Sequence, residues 1–114
     1  MTPEQVYRVA RLVPTGRVVS YGDIAALFEA NPRQVGRHLS GCPDPAVPWW
    51  RVTNASGRLP PHLADEAALH WRAEGTPCRA DGSGVLMGRA RADLAALADA
   101  AEAALGPLPG LDPH

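Results

Sequence analysis

The chain of 114 residues contains no lysine, so all eleven of its basic side chains are arginine. The arginine fork suits phosphates and base edges. A compositional bias of the genome would give the same preference, so the absence alone decides nothing. Aromatic residues are few: one phenylalanine, two tyrosines and three tryptophans. Long apolar runs are missing, which excludes a membrane-spanning helix of the usual ~20 residues. The opening residues Met1 to Tyr7 form neither the basic nor the apolar part of a secretory signal. A soluble cytoplasmic protein is therefore expected, nucleoid-associated if the source is bacterial. Cys42 and Cys78 lack the C-x-x-C spacing of a zinc or redox site, and one possible disulfide does not make a secreted scaffold, so both are expected as free thiols. His38, His62, His70 and His114 form no H-x-x-x-H or H-E-x-x-H pattern, so no metal or other cofactor is expected.

What is present is unevenly distributed. The net charge of −1 averages two unlike halves. Residues 1–58 carry Arg8, Arg11, Arg17, Arg33, Arg37, Arg51 and Arg58 against Glu4, Asp23, Glu29 and Asp44. Residues 59–114 carry four arginines against eight acids. A basic half of this kind fits a nucleic-acid partner.

The length allows one small domain with a modest core. Thr2-Pro3-Glu4-Gln5 reads as a capping box, followed by Val6, Val9, Ala10 and Val13 at helical spacing. Ser20 opens a second helix through Ile24, Ala25, Leu27 and Phe28. Asn31-Pro32 opens a third, buried through Val35 and Leu39 and closed by Gly41. The pair has the dimensions of a helix-turn-helix whose second helix presents Arg33, Gln34 and Arg37 to DNA. Residues 42–48 are too proline-rich for a helix or central strand. Val52 to Leu59, with the turn signal Asn54-Ala55-Ser56-Gly57, reads as a short hairpin or wing. Ala64, Ala67, Ala68 and Trp71 mark a helix ending at Gly75, and Val85 to Met87 a short strand. Leu94, Leu97, Ala98, Ala101 and Leu105 form the stripe of a last helix. One domain over residues 1–106 with a frayed tail at 107–114 is expected.

Trp49 and Trp50 raise a question of purpose, because adjacent side chains on an extended loop point to opposite sides and cannot share one core. Trp50 is assigned to core packing. Among reactive groups, Ser20 and Ser40 lack a nucleophile-elbow setting. Cys42 is a possible nucleophile if a base lies nearby in space, or a small filler. Glu74, taken alone, is most simply a solvated acid.

The order of four segments is more specific. V-P-T-G-R-V-V-S-Y-G-D-I-A at Val13–Ala25, P-R-Q-V-G at Pro32–Gly36, V-P-W-W-R-V at Val47–Val52 and A-E-G at Ala73–Gly75 resemble the C-terminal domain of O6-alkylguanine-DNA alkyltransferase. The resemblance covers about residues 2–87, and the spacing from Val35-Gly36 to Pro48 is the family's own. In that family the central motif carries the alkyl-accepting cysteine and a histidine; here Trp49 and Trp50 stand at those positions, and Cys42 stands at a hinge asparagine. The chain is thus similar to alkyltransferase-like proteins, which bind the lesion without repairing it.

The resemblance implies a winged-helix-like α+β fold, a helix-turn-helix in the minor groove and a flipped nucleotide held in a pocket. Arg33 matches the arginine that fills the vacated stack, Tyr21 the tyrosine that crowds the 3′ phosphate, and Glu74 a relay glutamate. DNA contacts are expected from Tyr21, Arg33, Gln34 and Arg37, and a lesion pocket from Tyr21, Leu39, Pro48, Trp49 and Val52. The expected partners are double-stranded DNA carrying O6-alkylguanine and the nucleotide excision repair proteins, with the chain acting as a monomer and no membrane involved. Two alternatives remain open at this point: an alkyltransferase using Cys42, and a helix-turn-helix regulator reading undamaged sequence.

Overall fold

The computed structural model describes residues 1–111. Helix α1, Pro3–Leu12, starts on the expected capping box: the Gln5 amide donates to Thr2 Oγ1 at 3.2 Å and the Thr2 amide to Gln5 Oε1 at 2.8 Å. Strand β1, Val19–Ser20, leads directly into α2, Tyr21–Leu27, where Ser20 and Asp23 cap each other's amides. Glu29 adopts a positive φ of 52° in the turn before α3, Pro32–Ser40. The three N-terminal caps fall where polar side chains precede the apolar spacing, so local chemistry sets these boundaries.

A 3-10 turn, Trp49–Arg51, follows the proline-rich loop and runs into β2, Val52–Thr53. This strand pairs in parallel with β1, Val19 opposite Val52 and Ser20 opposite Thr53. The hairpin expected over Val52–Leu59 is therefore not formed. Asn54 folds the chain into a tight turn by taking the Arg58 carbonyl with its amide and the Ser56 and Arg58 amides with its side chain. Gly57 then accepts the Val85 amide at 2.8 Å. The short strand expected at Val85–Met87 is reduced to one antiparallel bridge, Cys78 to Val85, because Met87 already begins α5, Met87–Ala90.

Helix α4, Pro61–Glu74, ends where Gly75 takes the left-handed conformation at φ 72°. Helix α6, Leu94–Leu105, buries Leu97 and Ala101 but leaves Leu94 40% exposed, so the apolar stripe begins one turn later than expected. A second 3-10 turn, Pro109–Leu111, also departs from expectation. Leu108 is buried in the main core and Gly110 lies against the Ala26 carbonyl, so residues 107–111 are packed rather than frayed. The rest of the expected tail, residues 112–114, lies outside the described residues.

The core has two parts. Val6, Val9, Ile24, Val35, Val52 and Leu97 belong to the first, among α1, α2, α3 and α6. Val18, Leu59, Ala67, Trp71, Val85 and Ala90 form the second, under α4 and the loop that follows it. Tyr21 and Trp49 are half-buried against both parts. They stand at the seam between them, where a pocket opens. The α+β, winged-helix-like class is that expected from the sequence.

Candidate nucleic-acid interface and base pocket

The pocket has a volume of about 130 Å³ and is lined by Tyr21, Gly36, Leu39, Ser40, Cys42, Trp49, Leu59, Leu63 and Glu66. Helix α2 positions Tyr21 at its first residue, held by the Ser20 cap. Its ring lies against Gly36 of α3, where an added Cβ would sit 3.7 Å from Tyr21 Cζ. A methyl fits there; a longer side chain would meet the ring. Burial raises the Tyr21 pKa above the ordinary tyrosine value, so the hydroxyl stays protonated and able to donate at neutral pH.

A shallow trough of about 310 Å³ continues from the pocket past Tyr21, Gly36 and Ser40 to Pro32, Arg33, Arg37 and Pro60. Arg33 and Arg37 are exposed on the face of the second helix of the helix-turn-helix. Gln34 is also exposed, but its Oε1 accepts the Asn31 amide at 3.2 Å and completes the α3 capping box. Its amide nitrogen and the second lone pair of Oε1 are left for an outside partner. Of the expected pocket residues, Tyr21, Leu39 and Trp49 come together. Val52 does not join them: its place in β2 turns its side chain into the first core, fully buried. Pro48 is buried just before the 3-10 turn and is outside the lining.

The two tryptophans are not opposed as an extended loop would require. In a 3-10 turn successive side chains are ~120° apart rather than 180°, and the indoles meet edge to face at 5.7 Å and 85°. Trp50 stacks on His70 of α4 at 3.6 Å and 7°, while Trp49 meets the same imidazole edge-on at 6.0 Å. Trp50 is half-buried beside the second core rather than enclosed in it. Its Nε1 donates to Glu74 Oε2 at 2.8 Å, and its carbonyl accepts the Trp71 indole at 2.7 Å.

Glu74 is not the solvated acid its sequence context suggests. Its side chain is 11% exposed and that of Arg51 15%. Arg51 grips it with a fork, Nε to Oε1 at 3.0 Å and Nη2 to Oε2 at 2.8 Å, while the Gly16 amide donates to Oε1 at 3.0 Å. Burial alone would raise the Glu74 pKa. The Arg51 fork, the Gly16 amide and the Trp50 indole outweigh it and hold the carboxyl below its ordinary value. Arg51 also donates to the Val13 carbonyl and to Thr15. The first segment of family likeness is thereby tied to the Trp pair and to α4.

Sequence reading missed His70 and the pocket residues Gly36, Ser40, Leu59, Leu63 and Glu66. Helical spacing does carry a signal: Leu63, Glu66, His70 and Glu74 recur at three or four residues on one side of α4. That side differs from the one carrying Ala64, Ala67, Ala68 and Trp71. Cys42 reaches the pocket as a free, half-buried thiol, with its Sγ 3.6 Å from the Asp44 carbonyl. Among the described residues it has no hydrogen bond to a histidine or carboxylate side chain, and no group of three or more potential ligands could hold a metal ion.

The model of the family described as 6-O-methylguanine DNA methyltransferase, DNA binding domain, matches residues 2–75. The chain belongs to this family. It is alkyltransferase-like in type. It is 42% identical over 68 residues to the DNA base-flipping protein of Thermus thermophilus, covering 59% of this chain and 46% of that protein. It is 34% identical over 58 residues to the protein of that name from Vibrio parahaemolyticus, covering 48% and 58%, and 38% identical over 60 residues to that of Escherichia coli, covering 50% and 46%. The matches span about half the length of these curated relatives. Within this member of the methyltransferase DNA-binding family, the matched residues contain the helix-turn-helix, the Trp pair, and α4 with His70 and Glu74.

Proposed function

We propose that this protein recognises O6-alkylguanine in duplex DNA by flipping the damaged nucleotide into the Trp49 pocket, without transferring the alkyl group. The observation that carries the reading is one concavity, lined by Tyr21 and Trp49, that opens along a trough to Arg33 and Arg37. The trough suits a phosphodiester backbone, and Arg37 in it suits a phosphate contact that releases counterions. Arg33, on the exposed face of α3, stacks where the base was removed, Tyr21 turns the nucleotide, and the Trp49 indole packs on the extruded base. Flipping costs a few kcal/mol, less where alkylation has weakened the pair. Base–aromatic stacking of ~1–3 kcal/mol offsets part of it.

Trp49 occupies the position of the family's reactive cysteine, so an indole faces the base where a thiolate would attack. The neighbouring position holds Trp50, whose indole is bonded to Glu74 and cannot accept a proton. The bound protein acts as a monomer that bends and marks the site for nucleotide excision repair. Titration of matched duplexes with and without O6-methylguanine tests the recognition, and intact protein mass tests the lack of transfer. A second reading, alkyl transfer to Cys42, is favoured by the presence of that thiol in the same pocket. It predicts a mass gain on Cys42, whereas the sensor predicts none.

A further inference from the structure

Among the described residues that line the base pocket, Glu66 alone is charged. Its place there follows from helical spacing. Leu63, Glu66 and His70 recur at three and four residues along α4, so they share one face. Leu63 lines the same pocket, and the His70 imidazole meets the Trp49 indole edge-on at 6.0 Å. Helical side chains lean toward the helix N-terminus, so Glu66 reaches back toward Leu63 and the pocket, away from Glu74.

The carboxylate is also available. Glu66 is exposed, and among the described residues it enters no ion pair and accepts no hydrogen bond. Asp23, Asp44 and Glu74, by contrast, are held by Arg91, Arg11 and Arg51. In the free protein water solvates Glu66 at little cost. A base seated against Trp49 covers the rim of the pocket and displaces part of that water, so the carboxylate then needs a donor from the base itself.

The donor pattern of the base decides what fits. O6-alkylguanine presents acceptors at its alkylated oxygen and at its ring nitrogens, and a single donor group, the exocyclic 2-amino group. A carboxylate accepts only, and carboxylates read exocyclic amino groups in the same way when they accept from cytosine. The Tyr21 and Ser40 hydroxyls in the lining can donate to ring nitrogens. The pocket thus sets one acceptor-only group against the one donor group of the base.

We propose that Glu66 reads the 2-amino group of the flipped base, so that the pocket takes O6-alkylated purines that carry this group and rejects those that lack it. The assignment rests on the base-flipping reading above and adds a discrimination which that reading does not contain. A base without the amino group leaves the carboxylate covered and unpaired, and a site built to hydrogen-bond a group rejects the analogue lacking it. Discrimination against unmodified guanine is a separate matter, set by the stronger pair that must be opened.

The test is a cycle of two bases and two proteins. Duplexes carrying O6-methylguanine or O6-methylhypoxanthine, which differ only in the 2-amino group, are titrated by fluorescence anisotropy with the full chain and with Glu66→Ala, alongside unmodified duplex. The parent should prefer O6-methylguanine over O6-methylhypoxanthine by a ratio about tenfold larger than Glu66→Ala does, the scale of a hydrogen bond to a charged group. Comparing ratios cancels the different costs of opening the two pairs. It also cancels the general gain in DNA affinity from losing a negative charge, which raises all three duplexes alike. Glu66 is exposed and unpartnered, so its removal leaves the core intact. Glu66→Gln keeps an acceptor oxygen without the charge and should retain part of the ratio. Equal ratios in the parent and in Glu66→Ala would overturn the assignment while leaving lesion recognition in place. Equal binding of O6-methylguanine and guanine duplexes by the parent would instead overturn the base-flipping reading, and this inference with it.

Discussion

Glu74→Ala is the perturbation through which the Trp pair is most directly tested as a supported platform. The carboxylate receives Arg51 through two nitrogens, the Gly16 amide and the Trp50 indole, and its side chain is 11% exposed. Removing it leaves a guanidinium of 15% exposure without its counter-charge and the Gly16 amide and Trp50 indole without their acceptor. Breaking one side of a buried ion pair costs ~3–5 kcal/mol. The slight exposure of this pair favours the lower end, about 3 kcal/mol. At roughly 4 °C per kcal/mol for a domain of this size, Tm should fall by about 12 °C. The assay is urea and thermal unfolding followed by circular dichroism, with tryptophan fluorescence reporting the Trp50 environment. Glu74→Gln keeps the acceptor oxygen and should lose less than the alanine variant. Arg51→Met combined with Glu74→Met should be less destabilised than the sum of the two single changes, because neither charge is then left alone. A loss below about 1 kcal/mol for Glu74→Ala would place the pair among exposed ion pairs of little consequence and show that it does not brace the platform.

The other predictions use the same geometry. Because the folded Glu74 pKa lies below its unfolded value, the stability it contributes is fully present above the ordinary carboxylate range, about pH 4.3, and is lost as pH falls through the folded value. Urea midpoints should therefore drop more steeply on acidification in the parent than in Glu74→Gln, and parallel profiles would contradict this. Arg33→Ala should weaken lesion binding by about 1–3 kcal/mol while hardly affecting unmodified duplex. Arg37→Ala should weaken both about equally, and fluorescence anisotropy with the two duplexes distinguishes these patterns. Trp49→Cys alone should transfer little alkyl group, because a thiol of ordinary pKa near 8.5 is mostly protonated at neutral pH. Trp49→Cys with Trp50→His places an imidazole next to Glu74 and should show transfer by mass; efficient transfer by the single variant would remove the need for that relay.

The legible parts of the fold were those set by short-range chemistry. Thr2, Ser20 and Asn31 announce their helices because each side chain caps amides two or three residues ahead. Gly75 announces the end of α4 for a similar local reason, its left-handed conformation. Long-range pairing was not legible: Val52 looks like one arm of a hairpin, yet its partner is Val19 in a parallel ladder. The same holds at the C-terminus, where only the tertiary contact of Leu108 with the core converts an apparent tail into packed chain. At the site, Tyr21, Leu39 and Trp49 were found through motif likeness. His70 and Glu66 were not, because what matters for them is the side of α4 that meets the 3-10 turn and the pocket. Trp50 does pack against the second core, but its angle to Trp49 is not legible for a related reason: an extended loop and a 3-10 turn send neighbouring side chains ~180° and ~120° apart, and the proline-rich approach does not reveal which one follows.

The central claim is recognition of an alkylated guanine without chemistry, and one paired measurement addresses it. Matched duplexes, one with O6-methylguanine and one without, are titrated with the protein at fixed salt, and intact protein mass is read after prolonged incubation with the modified duplex. At least tenfold tighter binding to the modified duplex, about 1.4 kcal/mol, with no change in mass, is the expected result. Equal affinity for the two duplexes would contradict lesion recognition, and a gain of one methyl on Cys42 would show that the pocket transfers what it was argued only to read.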